Sequence, residues 1–130
     1  MDVADAAALI FATVIAGVVA FQIALALGAP WGAYAMGGAF PGSFPPRMRV
    51  AAVVQAAVLA ALAVVVLSTA GLIVPALADG APWLIWIAVV VSAASLVLNA
   101  ITPSAGERRI WVPVAVVLLV SSLVVALSAS

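Results

Sequence analysis

Residues 50–72 read VAAVVQAAVLAALAVVVLSTAGL, from Val50 to Leu72, without one charged side chain. About 20 apolar residues, each adding about 1.5 Å along a helix, match a bilayer core about 30 Å thick. The run is rich in valine, yet in lipid a helix is the form that satisfies its own backbone. It therefore predicts a membrane-spanning helix, interrupted by a single amide at Gln55.

Working outward, three more stretches pass the same test, at about residues 6–28, 83–101 and 110–127. The breaks carry turn chemistry: Gly28-Ala29-Pro30 after the first span, Gly71 and then Pro75 after the second, Thr102-Pro103-Ser104 after the third. The expected fold is all-α, a polytopic four-helix transmembrane bundle forming one domain over residues 1–130.

Composition leads to the same solvent. The chain is 69% hydrophobic and 6% charged, whereas a water-facing domain carries about 25% charged residues. Net charge is zero and no basic tract occurs, which argues against nucleic acid as a partner. Without cysteine or histidine there is no thiolate nucleophile and none of the commonest metal ligands. No metal site and no cofactor are expected.

The positive charges set the orientation. Arg47 and Arg49 lie in the first loop, Arg108 and Arg109 in the third, and short arginine-bearing loops stay cytoplasmic. Both termini and the second loop are then expected outside, along with Asp2, Asp5 and Asp79. Trp83 and Trp86 on one side, with Trp31 and Trp111 on the other, read as interfacial anchors. Ala24-Leu25-Ala26 and Ala33-Tyr34-Ala35 mimic signal-peptide cleavage sites, but the N-terminus is acidic and its apolar run long, so the first span is read as retained.

Within the first span Ala8, Ala12, Ala16, Ala20, Ala24 and Gly28 repeat every fourth position, and Ala52, Ala56 and Ala60 do so in the second. Small-xxx-small rows let helices approach closely, so Ala12, Ala16, Ala20 and Ala24 are the expected helix-packing face. Ala88, Ser92, Ser95 and Asn99 form a stripe in the third span, as do Ala115, Ser122, Ala126 and Ala129 in the fourth. Such hydroxyls bond within their own helix or across to another.

Gln22, Gln55 and Asn99 all fall in the membrane third nearest the arginine-bearing loops. An amide facing hydrocarbon without a partner costs several kcal/mol. The alternatives are one shared polar cluster or three separate bonds to neighbouring backbone. The first loop, residues 29–49, mixes glycine and proline with Trp31, Tyr34, Met36, Phe40 and Phe44. It is too broken for a long helix and too apolar for a solvated linker. It is expected in the interface or folded back on the bundle mouth, as a structural cover or a ligand-closing loop.

Chemistry-bearing groups are sparse. None of the acids falls inside an expected span, and no catalytic residue is assigned. Glu107 reads as an interfacial ion pair with Arg108 and Arg109; together with Arg47 and Arg49 these residues could form a cytoplasmic surface for lipid headgroups. A lipid-modifying enzyme built on Glu107 and the arginines is a third option. No ionisable residue within a span supports proton-coupled export.

Three segments, LALGAPWGAYAMGG (25–38), PPRMRVAA (45–52) and LNAITPSAGERRIWVPV (98–114), resemble a family of small bacterial four-span membrane proteins. The resemblance implies a multi-pass protein of the bacterial inner membrane and carries no activity, ligand or catalytic residue. The leading expectation is a non-enzymatic protein that assembles with other membrane helices, as a homo-oligomer or an accessory subunit. The other is a transporter or channel for a small neutral or apolar solute.

Overall fold

The computed structural model describes residues 1–130 in full and contains helices but no strand. Four helices are long and apolar enough to cross a membrane: α1 (Val3–Ala26), α2 (Pro46–Thr69), α4 (Leu84–Ile101) and α5 (Ala105–Ala129). A short fifth, α3 (Pro75–Gly80), sits in the connection between α2 and α4.

Local chemistry explains where each helix begins. The Asp2 carboxylate accepts from the Asp5 N–H (2.8 Å) while Asp5 accepts from the Asp2 N–H (3.3 Å), a closed capping box that starts α1 three residues before the expected span. Pro46 opens α2 at a position where the missing N–H costs nothing. Ser104 caps α5, accepting from the Glu107 N–H at 3.2 Å. This cap starts the helix five residues before the expected boundary at Ile110, and it draws Glu107 and both neighbouring arginines into regular structure.

Helix ends are equally specific. Gly28 (φ 102°) donates to the Leu25 carbonyl and Ala29 to that of Ala24. Gly71 (φ 80°) donates to Ser68, and Leu72 to Leu67. Both are Schellman motifs, which need a left-handed residue and so favour glycine.

The spans pack as a ring in which α1 lies along α2 and α5, and α4 along α5, while α2 and α4 meet only sparsely. At the α3 end the ring is filled. Phe11 and Ile15 of α1, Leu62 and Val66 of α2, Ile85 and Ala88 of α4, and Leu118, Val125 and Ala126 of α5 form one buried cluster. In lipid such contact is stabilised by close van der Waals packing, because the tails outside are as apolar as the core.

The alanine row contributes less to this core than its spacing suggests. Ala8 is buried and Ala12 and Ala24 half-buried, but Ala16 and Ala20 face outward. A four-residue step turns about 400° around a helix, so the row drifts about 40° at each step and leaves the interface. The inward face of α1 runs instead through Ala8, Phe11, Ile15 and Leu25. On α2, likewise, Ala52 and Ala56 are buried and Ala60 is exposed. The serines of the two stripes bond within their own helices: Ser92 donates to Ala88 O (2.8 Å) and Ser122 to Leu119 O (3.1 Å).

Candidate functional site: a cavity under the first loop

At the opposite, arginine-bearing end the helices border a cavity of about 790 Å³. Along α5 its lining runs from Glu107 to Leu118, about 16 Å at helical rise, or roughly half a bilayer core. It ends against the packed cluster and opens sideways between α2 and α4. Val54, Gln55 and Val58 on one edge, and Ala94, Leu98 and Ile101 on the other, line it while exposed on the bundle surface.

Gln22 of α1, Gln55 of α2 and Asn99 of α4 all line this space. The three amides share a cavity but do not bond one another. Asn99 Nδ2 donates to the carbonyl (2.7 Å) and hydroxyl (3.2 Å) of Ser95 one turn earlier, which leaves its own carbonyl oxygen as an acceptor. Gln22 is half-buried, and Gln55 stands at the lateral edge.

The first loop folds across the mouth. It makes two 3₁₀ turns, Gly32–Tyr34 and Met36–Gly38, and Tyr34, Ala35, Met36 and Gly37 line the cavity from above. The turn is tied at its base by Gly32 N–H to Gly42 O (2.8 Å) and by Ser43 Oγ to Gly28 O (2.8 Å). It is clasped to the start of α5 from the other side. Ser104 Oγ donates to Ala33 O (3.0 Å) and Trp111 Nε1 to Tyr34 O (2.7 Å). Below it, Leu25, Phe44 and Ala52 form a small buried cluster of their own.

Glu107 departs from the sequence reading. It makes no ion pair with its neighbours but is buried, 7% exposed, against the cavity, and its Oε2 has no hydrogen-bond partner. The reason is angular. Starting α5 at Ala105 puts Glu107, Trp111, Val114 and Leu118 on one face at i, i+4, i+7 and i+11, and all four line the cavity. Arg108 and Arg109 are turned outward; Arg108 donates to the Thr102 carbonyl. Arg49 is half-buried, with Nε on the Phe44 carbonyl (2.8 Å) and its guanidinium lying over Gly28. Arg47 and Arg109 are exposed at this end of the bundle.

Trp111 also does more than anchor an interface. It packs edge-to-face on Phe21 (4.8 Å between centroids), and Phe21 stacks on Trp31 (6.1 Å). Trp83 and Trp86 remain exposed near the far end, where an anchor would sit. Two signals could have found Glu107: Ser104-x-x-Glu107 has the form of a capping box, and its spacing to Trp111 is one helical turn. The chain matches no protein-family model, no curated protein and no solved structure.

Proposed function

We propose that this protein binds a small, largely apolar molecule in the cavity beneath its first loop and carries it into or across the membrane. The observation that supports the reading most is convergence. Amides from three helices, separated by up to 77 positions in sequence, line one apolar space of drug-like size. A few polar groups in an apolar pocket fix the orientation of a ligand without holding it tightly.

The packed far half of the bundle, with Phe11, Leu62, Ile85 and Leu118 in one buried cluster, favours a carrier over a channel. The gap between α2 and α4 offers entry from the lipid, and the clasped loop supplies the cover. By the arginine rule the cavity faces the cytoplasmic leaflet, which in the reading from the sequence is that of a bacterial inner membrane. The role is non-enzymatic.

The reading is tested by extracting the protein gently and identifying the small molecules it retains by native mass spectrometry. Ala94→Trp, at an exposed position on the lateral edge, is the blocking variant. The retained molecule should be lost from the variant while its helical content is kept. Equal retention by both proteins would refute the cavity as the binding site.

A second reading, assembly with a second copy or a partner subunit, is favoured by the outward Thr13, Ala16, Gly17 and Ala20 on α1, away from the cavity. Its test is particle mass: Ala16→Leu together with Gly17→Leu should lower the oligomeric state, and an unchanged mass would remove it.

A further inference from the structure

We infer that the ligand of this cavity is an amphipathic organic monocation, an ammonium group on an apolar body, with Glu107 as its counter-ion. This rests on the cavity reading above and narrows it to a ligand class. The starting point is an unbalanced group. Glu107 is more than nine-tenths buried, lines the cavity, and holds Oε2 without a donor. Buried carboxylates are otherwise paired, because an isolated one is costly to remove from water.

The protein's own cations do not balance it. No arginine lines the cavity, and the chain has neither lysine nor histidine there, having just four basic residues in all. None of the four pairs with Glu107: Arg49 bonds the Phe44 carbonyl through Nε, Arg108 bonds the Thr102 carbonyl, and Arg47 and Arg109 are exposed. Glu107 also forgoes the partner its own cap offers. In a complete box its carboxylate would accept from the Ser104 N–H, as Asp5 accepts from Asp2. Instead the Ser104 N–H reaches only the Thr102 hydroxyl, at 3.4 Å, and the carboxylate turns inward.

What surrounds the carboxylate selects the kind of cation. Trp111 follows one turn later on the same face, Phe21 packs against Trp111, and the Tyr34 ring lies over Gly106, next to Glu107. Aromatic faces beside a carboxylate attract ammonium groups through the ring quadrupole. A bare metal ion needs several oxygen ligands, and no group of three or more acidic or metal-binding side chains exists here. The rest of the lining, Val54, Val58, Val91, Leu98 and Leu118, suits an apolar body. A ligand with an added anionic group would meet no cation among the lining residues.

Binding to protein in nanodiscs can be measured by equilibrium dialysis, with empty nanodiscs subtracted. The probes are 4-phenylbutyl-trimethylammonium, its uncharged tert-butyl isostere and 5-phenylpentanoate. The native chain should prefer the cation over the isostere by about tenfold or more, the scale of one charged contact in a sheltered site. Glu107→Gln, which keeps the shape, should bring that ratio close to one, and Glu107→Asp should keep part of it. Equal binding of cation and isostere, or a ratio that survives Glu107→Gln, overturns the monocation and leaves the cavity reading standing. Tighter binding of the carboxylate likewise overturns the charge assignment. If none of the three binds above background, the cavity reading and this inference fall together.

Discussion

Trp111 Nε1 donates to the Tyr34 carbonyl at 2.7 Å, joining positions 77 residues apart and holding the first loop to the wall of the cavity it covers. The loop's hold on α5 rests on this bond and on Ser104 Oγ to the Ala33 carbonyl. Trp111→Phe keeps a ring against Phe21 but removes the donor. We expect a loss of about 1 kcal/mol, the net value of one hydrogen bond. Hydrogen–deuterium exchange should rise at amides 32–39 and stay unchanged in α2. Protection left intact across the loop would show that the clasp does not hold it.

Gly32 is irreplaceable for a different reason. A Cβ there would stand 1.8 Å from the Phe40 carbonyl oxygen and 2.7 Å from that of Gly42. Both are backbone atoms and cannot swing aside, so Gly32→Ala should destabilise by roughly 2 kcal/mol or more. Gly17→Ala is the control, since nothing lies within 4 Å of its added methyl. Thermal unfolding in detergent should separate the two clearly; similar midpoints would contradict the packing of the turn.

At the far end Ser68 holds the second loop. Its hydroxyl donates to the Val74 carbonyl (2.8 Å) and accepts from the Ala78 N–H (3.1 Å), while Val74 sits at a left-handed φ of 35°. A β-branched residue in that region is unfavourable unless its surroundings impose it. Ser68→Ala should release it at a cost of about 1–2 kcal/mol. The measurable sign is faster protease cleavage between residues 72 and 82, with the first loop unaffected.

Because the chain has no cysteine, orientation can be read with single introduced thiols. Asp79→Cys and Arg109→Cys lie at exposed positions at opposite ends of the bundle. In intact cells an impermeant maleimide should label the first and reach the second only after lysis. The reverse pattern would invert the arginine-based topology.

Much of this was legible in the sequence because lipid is an undemanding solvent to read. Length and the lack of charge fix a span, so four helices and their turns follow from apolar runs alone. Gln22, Gln55 and Asn99, each near the arginine-bearing end of its span, all line one space there. Rotation about each helix axis was not legible. A shift of one residue turns a side chain by about 100°, so the late boundary at Ile110 left Glu107 in a loop and hid its inward face. The alanine row misleads in the same way, because regular spacing at every fourth residue is not a constant direction around the helix axis. The fold-back of the first loop could be guessed from its apolarity, but its ties to Ser104 and Trp111 could not, since nothing local marks partners that distant.

The one-sided packing of the bundle has an electrical consequence. Voltage drops mainly where the medium polarises least, and that is the tightly filled half around Phe11, Ile15, Val66 and Val125. A charge resting near Glu107, at the open end, has crossed little of the field. One carried past the filled half crosses most of it, at about 2.3 kcal/mol per elementary charge for each 100 mV. Occupancy of the cavity by a cation should therefore be nearly indifferent to membrane potential, while its passage should respond steeply.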